Sequence, residues 1–163
     1  MRAPHSTPIF RSSGTPKGWL TRLPRGLSLK GKRLLVIEDE VFVAMDIAFT
    51  CEVAGATVTG TTSVRSALHA IREADAESRP FDAALLDLVV RDGTTEPVAE
   101  ALRERGVPFL VYTGDMPDGS ELAERFGVRT LAKPTPVEEI ALGIAGLLDG
   151  SSVETGLSPV EGG

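Results

Sequence analysis

Four groups able to do chemistry stand where apolar runs stop. Glu38-Asp39 follows Leu34-Leu35-Val36-Ile37, and Asp87 closes Ala83-Ala84-Leu85-Leu86. Thr113-Gly114 closes Phe109-Leu110-Val111-Tyr112, and Lys133-Pro134 ends a fourth run. A charge or hydroxyl at the end of a buried strand is costly unless it is paired or meets a ligand. Open parallel sheets bind ligands in the crevice beyond their strands' carboxyl ends. Two acids, a central Asp, a Thr and a Lys gathered there would make a Mg²⁺-assisted phosphoryl acceptor.

Three close carboxylates repel one another, so one must be protonated or a cation must bind. Oxygen donors from few protein groups suit Mg²⁺, which keeps several of its waters. Asp39 and Asp87 are the expected direct ligands, the Val89 backbone carbonyl a third, and Glu38 a partner acting through a water. Lys133 would neutralise the transferred group, and Asp87 would be the nucleophile, giving an aspartyl phosphate. Thr113 offers a hydroxyl to a phosphoryl oxygen. Positioning and charge stabilisation do most of the work in such a transfer. Each piece alone has a plainer reading. The acidic pair could be a solvated loop or helix cap, the stretch from Asp87 to Gly93 a strand exit into an Asp-Gly turn, Thr113-Gly114 a turn, and Lys133-Pro134 the start of a helix. All four falling at strand ends in one frame is what argues for a site.

The elements that must position these residues alternate along the chain. Strands are expected at 33–38, 56–61, 81–87, 108–112 and 129–132, and helices at 40–54, 63–75, 95–105, 118–126 and 136–148. Gly55 stops the first helix and Ser63 caps the second; Gly106 closes the third, and Pro136 fits the first turn of the fifth. Strands one, three and four are nearly continuous apolar runs, as when helices cover both faces of a sheet. The second, Ala-Thr-Val-Thr-Gly-Thr, alternates and reads as an edge. Five β/α repeats predict an α/β, flavodoxin-like, doubly wound five-stranded parallel sheet of order 2-1-3-4-5, with helices on both faces. In that order the strands ending at Glu38-Asp39 and at Asp87 are neighbours.

The chain's 163 residues leave room for one domain plus tails, and 42% hydrophobic with 25% charged content is ordinary for a soluble protein. The net charge of −6 argues against duplex DNA as a general partner. It hides an asymmetry: residues 1–30 hold six basic side chains and no acid, leaving −12 for the rest. Residues 1–30 read as a disordered basic tail, in composition like a transit peptide or sequence upstream of the natural start, with Trp19-Leu20 its one sticky point. Residues 31–149 form the domain, and 150–163 a flexible tail too short for a DNA-binding or enzymatic output domain. No run approaches a membrane span of about 20 residues, and the single Cys51, on the apolar side of the first helix, fits core packing and a reducing cytoplasm. His69 reads as a structural helix residue and His5 as inert.

At these residues the chain resembles the response-regulator receiver domain of bacterial two-component signalling, from about Gly31 to Gly150. The resemblance makes Asp87 the phosphorylation site, Glu38-Asp39 the acidic metal pair, Thr113 the switch hydroxyl and Lys133 the phosphoryl-contacting cation. It implies a sensor histidine kinase as donor, an unknown downstream protein target, and a possible homodimer. A phosphoacceptor signalling protein is expected, acting by docking or as a phosphate sink, with self-catalysed transfer and slow autodephosphorylation its only catalysis. Receivers commonly carry an aromatic residue three positions before the Lys; here it is Thr130. Pro108 to Asp115 partly resembles a variant group with a Pro-Phe-x-Phe-Ala-Thr-Gly-Tyr signature, Asp115 standing at the final Tyr. Val89 and Asp115 flank the approach of an attacking water, and the apolar Val89 favours a long-lived phosphoryl group. Two other readings are a degenerate receiver that binds partners without phosphorylation and a haloacid-dehalogenase-like Mg²⁺ phosphatase. The latter wants an acid where Val89 stands.

Overall fold

Short apolar runs and longer amphipathic ones fold here as alternating strands and helices. The computed structural model describes residues 23–114 and 116–150. In chain order the elements are β1 (Arg33–Ile37), α1 (Val41–Val53), β2 (Thr57–Thr61), α2 (Val64–Ala76), β3 (Ala83–Leu86), β4 (Val89–Val90), β5 (Gly93–Thr94), α3 (Glu96–Glu104), β6 (Phe109–Thr113), α4 (Met116–Phe126), β7 (Thr130–Ala132) and α5 (Val137–Leu148). Five strands form one parallel sheet in the order β2-β1-β3-β6-β7. With the β4–β5 hairpin set aside, this is the expected 2-1-3-4-5 order, and β2 is an edge strand.

Strand alternation divides the core in two. Leu35, Ile37, Ala84, Leu86, Phe109 and Val111 face α2, α3 and Leu122 of α4. Their neighbours Leu34, Val36, Ala83, Leu85, Leu110 and Tyr112 face α1 and α5. With both faces covered, every residue of β3 and β6 is buried, which is why these strands read as unbroken apolar runs. Each fully buried Leu, Ile or Val contributes about 1.5–3 kcal/mol relative to exposure. Ser63 caps α2 as expected, its Oγ accepting from the Ser66 N–H at 3.1 Å. Gly143 on α5 lets that helix close on the sheet: a Cβ there would lie 3.0 Å from Leu110 Cδ1.

Three sequence expectations change. The tail expected to run without structure to residue 30 is ordered from Leu23 onward, while residues 1–22 and 151–163 lie outside the described residues. Leu29 is fully buried, with Leu23 and Leu27 packed beside it. The Leu29 and Gly31 N–H groups donate to the Ala54 and Gly55 carbonyls at 2.8 and 3.2 Å. Gly55 serves this approach: its φ is +105° and a Cβ would lie 2.9 Å from Lys30 Cα. The stretch after Asp87 is a small antiparallel hairpin, Val89 opposite Thr94 and Val90 opposite Gly93, with Arg91-Asp92 at its tip. Helix α4 starts at 116 instead of 118, which puts Pro117 in its first turn, where its missing N–H costs nothing.

Candidate functional site

Register brings the acidic groups together. Ile37 pairs with Leu86, and the Asp87 N–H donates to the Ile37 carbonyl at 2.9 Å, so Glu38 and Asp39 leave β1 beside the end of β3. One carboxylate oxygen from each of Glu38, Asp39 and Asp87 lies within 4.8 Å of the others. Lys133 arrives from the far side: its N–H donates to the Thr113 carbonyl at 2.9 Å, which sets the end of β7 against the end of β6. Lys133 Nζ reaches Glu38 Oε2 at 2.6 Å and Asp87 Oδ2 at 3.0 Å, and stands 5.1 Å from the centre of the Tyr112 ring.

Glu38 is 1% exposed and Asp87 8%. Burial pushes the Glu38 carboxyl up, against the hydrogen bonds from Lys133 and from the Glu40 N–H, while the charge of Asp87 adds to the rise. Burial opposes the Lys133 charge, yet the hydrogen bonds to Glu38 and Asp87 outweigh it and raise the lysine. Three carboxylates face one ammonium, so the fully ionised cluster carries two uncompensated negative charges. Hard oxygen donors with a charge deficit of this sign fit a divalent cation such as Mg²⁺. Both Glu38 oxygens are engaged, Oε2 by Lys133 Nζ and Oε1 by the Glu40 N–H.

Thr113 is buried at the end of β6, its methyl against Gly119 of α4. Thr130, where an aromatic residue is expected, is partly buried and donates through Oγ1 to the Gly119 carbonyl at 3.3 Å. Val89 is 54% exposed beside Asp87 at the start of the hairpin. Asp115 lies outside the described residues. His69 sits on α2 with its Nε2 3.2 Å from Glu73 Oε1, away from the cluster, and Cys51 is buried in the core.

Sequence reasoning missed four participants. Thr95 is fully buried and donates through Oγ1 to the carbonyl of Asp87 at 2.6 Å. Asp92 accepts from the Val64 and Arg65 N–H groups at 2.7 and 3.0 Å, capping α2 from the hairpin tip. Tyr112 stacks under Lys133. Phe42, in the first turn of α1, is 87% exposed, the most exposed large apolar side chain among the described residues. A Thr before Glu96-Pro97 is a helix-start signal that could have marked Thr95; the other contacts join residues too distant in sequence to leave a local signal.

No protein-family model matches the sequence, and no curated protein does. Solved structures do match. The non-phosphorylated HemR receiver domain from Leptospira biflexa is 22% identical at a TM-score of 0.63, over 72% of this chain and 94% of that one. A CheY-like response regulator receiver domain protein from Methanospirillum hungatei JF-1 is 22% identical at 0.61, over 74% of this chain and 95% of that one. A sensor protein from Polaromonas sp. JS666 is 22% identical at 0.63, over 75% and 99%. Among the described residues no helix is long and apolar enough to cross a membrane.

Proposed function

We propose that this chain, which has the fold of CheY-like receiver domains, is a response regulator that accepts a phosphoryl group onto Asp87 from a phosphohistidine of a sensor histidine kinase. The observation that carries the reading is the cluster itself: three carboxylates within 4.8 Å, with Lys133 bonded to two of them. An Asp87 oxygen attacks phosphorus, a P–O bond forms, and the P–N bond breaks with its electron pair returning to the imidazole nitrogen. Lys133, already held toward Asp87, balances the incoming charge on the phosphoryl oxygens. Asp39, Asp87 and the Val89 carbonyl would hold Mg²⁺, with Glu38 acting through a water; when bound, the ion supplies charge neutralisation on the transferring oxygens. Thr113 then offers its hydroxyl to one of those oxygens.

The product signals by docking a partner or drains phosphate from the kinase; it is not a metabolic enzyme, and a cytoplasmic setting follows from that role. The exposed Phe42, just after Glu38-Asp39 in the chain, and the exposed Val89, just after Asp87, support the docking of a protein donor near the site. The apolar Val89 neither orients an attacking water nor serves as a general acid, which favours a lasting phosphoryl group and speaks against a phosphatase. Incubation with acetyl phosphate and Mg²⁺, followed by intact mass, tests the reading. One phosphoryl group gained, lost with Asp87→Asn or chelator, is expected. No adduct from acetyl phosphate or from a kinase, with Mg²⁺ binding intact, would refute it in favour of a phosphorylation-independent binding module. Thr130 in place of an aromatic residue is the feature that favours that second reading.

A further inference from the structure

The segment between the acceptor and α3 is fastened at both ends by side chains that touch none of the reacting groups. At the near end the fully buried Thr95 donates through Oγ1 to the Asp87 carbonyl at 2.6 Å, and its N–H donates to the Leu88 carbonyl at 2.9 Å. The same residue launches α3, its carbonyl accepting from the Val98 and Ala99 N–H groups, both at 3.0 Å. At the far end the Asp92 carboxylate grips two orphan N–H groups of α2, at 2.7 and 3.0 Å. Between these fastenings Leu88 and Val90 are sunk in the core, both 4% exposed, while Val89 faces outward. The backbone at Val89 therefore has little freedom, although the hairpin around it pairs only two residues with two.

We infer that Thr95 and Asp92 are positioning residues for the acceptor: they clamp the 88–94 segment from opposite ends, fix the backbone of Asp87 and Val89, and thereby set how tightly the site takes a divalent cation. The inference rests on the phosphoacceptor reading proposed above. A metal held by few protein oxygens depends on each of them being in place before it arrives. Outer partners that orient metal ligands typically account for 10–100-fold in affinity. Thr95→Val keeps the side chain's shape but deletes the donor to the Asp87 carbonyl, whereas Thr95→Ser keeps the donor. Asp92→Ala removes the cap, whereas Asp92→Asn retains an oxygen that can accept one of the two N–H groups.

The test is Mg²⁺ titration of the full chain by calorimetry, together with acetyl phosphate kinetics against Mg²⁺ concentration and amide exchange at residues 88–94. Thr95→Val should weaken Mg²⁺ about tenfold, with the phosphorylation rate restored at saturating Mg²⁺. Asp92→Ala should weaken it severalfold, and Thr95→Ser and Asp92→Asn much less. A purely structural role would lower stability without moving the Mg²⁺ midpoint. Folded Thr95→Val and Asp92→Ala proteins that bind Mg²⁺ as the parent does would overturn the clamp and leave the acceptor reading standing. Should Thr95→Val not fold, Asp92→Ala, altered at an exposed tip, decides by the same criterion together with exchange at Val89 and Val90. A parent chain that binds no Mg²⁺ would sink the acceptor reading, and the clamp with it.

Discussion

Gly119 is the point at which α4 comes closest to the sheet, and replacing it with alanine gives a prediction whose sign can be reversed at will. A Cβ on Gly119 would lie 2.5 Å from Cγ2 of Thr113 and 3.5 Å from Cγ2 of Thr130. The second distance is ordinary contact; the first is not. Thr113 is 3% exposed and β-branched, so its methyl has no space to retreat into. Overpacking of this kind costs about 1–3 kcal/mol, while exchanging Gly for Ala within a helix returns at most about 1 kcal/mol. Gly119→Ala should therefore destabilise the protein by about 1 kcal/mol, lowering the melting temperature by roughly 3–6 °C in a domain of this size. Thr113→Ser removes the offending methyl and nothing else. In that background the clash is gone, the helix gain remains, and Gly119→Ala should be neutral or stabilising by up to about 1 kcal/mol. Urea denaturation of the four proteins measures the coupling, expected at about 1–3 kcal/mol for side chains in direct contact. The same loss in both backgrounds would refute the packing account of Gly119.

Phe42→Asp should slow transfer from a histidine kinase about tenfold, as for loss of an interface anchor, while acetyl phosphate labels Asp87 at the parent rate; equal slowing with both donors would contradict docking at Phe42. The Cys51 thiol, pushed up to about 12 by burial and the nearby Glu52 charge, should resist thiol reagents at pH 8 and react only as fast as the protein unfolds; rapid labelling of native protein would count against it. Asp92 has its pKa lowered by the Arg65 and Val64 N–H groups, which outweigh the opposing effect of desolvation. Its contribution is full above the ordinary Asp pKa near 3.9 and is lost as pH falls through the lower folded value. Asp92→Asn should therefore lower the melting temperature at pH 7, with the gap to the parent closing as pH falls below about 4, so that the variant's acid limb is the flatter of the two. Trimming the chain to begin at Gly31 removes Leu29 from the core and should cost about 2–5 kcal/mol, comparable to a large-to-small core change; a trimmed protein with unaltered urea midpoint would show that Leu29 contributes nothing.

The sheet order and the gathering of Glu38, Asp39, Asp87 and Lys133 were legible because strand alternation and strand ends are local signals. A run such as Ala83–Leu86 has only one way to be covered on both faces, and a polar residue at its end has few places to go. The Lys133 bonds to Glu38 and Asp87 link residues 95 and 46 positions apart, and only the folded register brings them into reach. The β4–β5 hairpin escaped because two residues per strand carry no periodicity, leaving the Asp-Gly turn as its sole trace. Leu23, Leu27 and Leu29 escaped because isolated leucines in a Gly- and Pro-rich setting look solvated until Gly55 is seen to admit the chain beside Lys30. Asp92 was read as a turn residue, which it is; its second task, capping α2, is a tertiary contact.

The sheet's two margins bear on how copies of this chain can meet. At one margin β7 offers three residues, and at the other β2 offers five, with Gly60 in its interior. Short or glycine-weakened edges are poor templates for adding a further strand, and such edges guard α/β proteins against polymerising sheet to sheet. Concentrated solutions should therefore be spared growth by edge templating. A pairing of two copies that lasts would have to be built from side chains on the helical faces, where single substitutions can tune it without disturbing the backbone of the sheet.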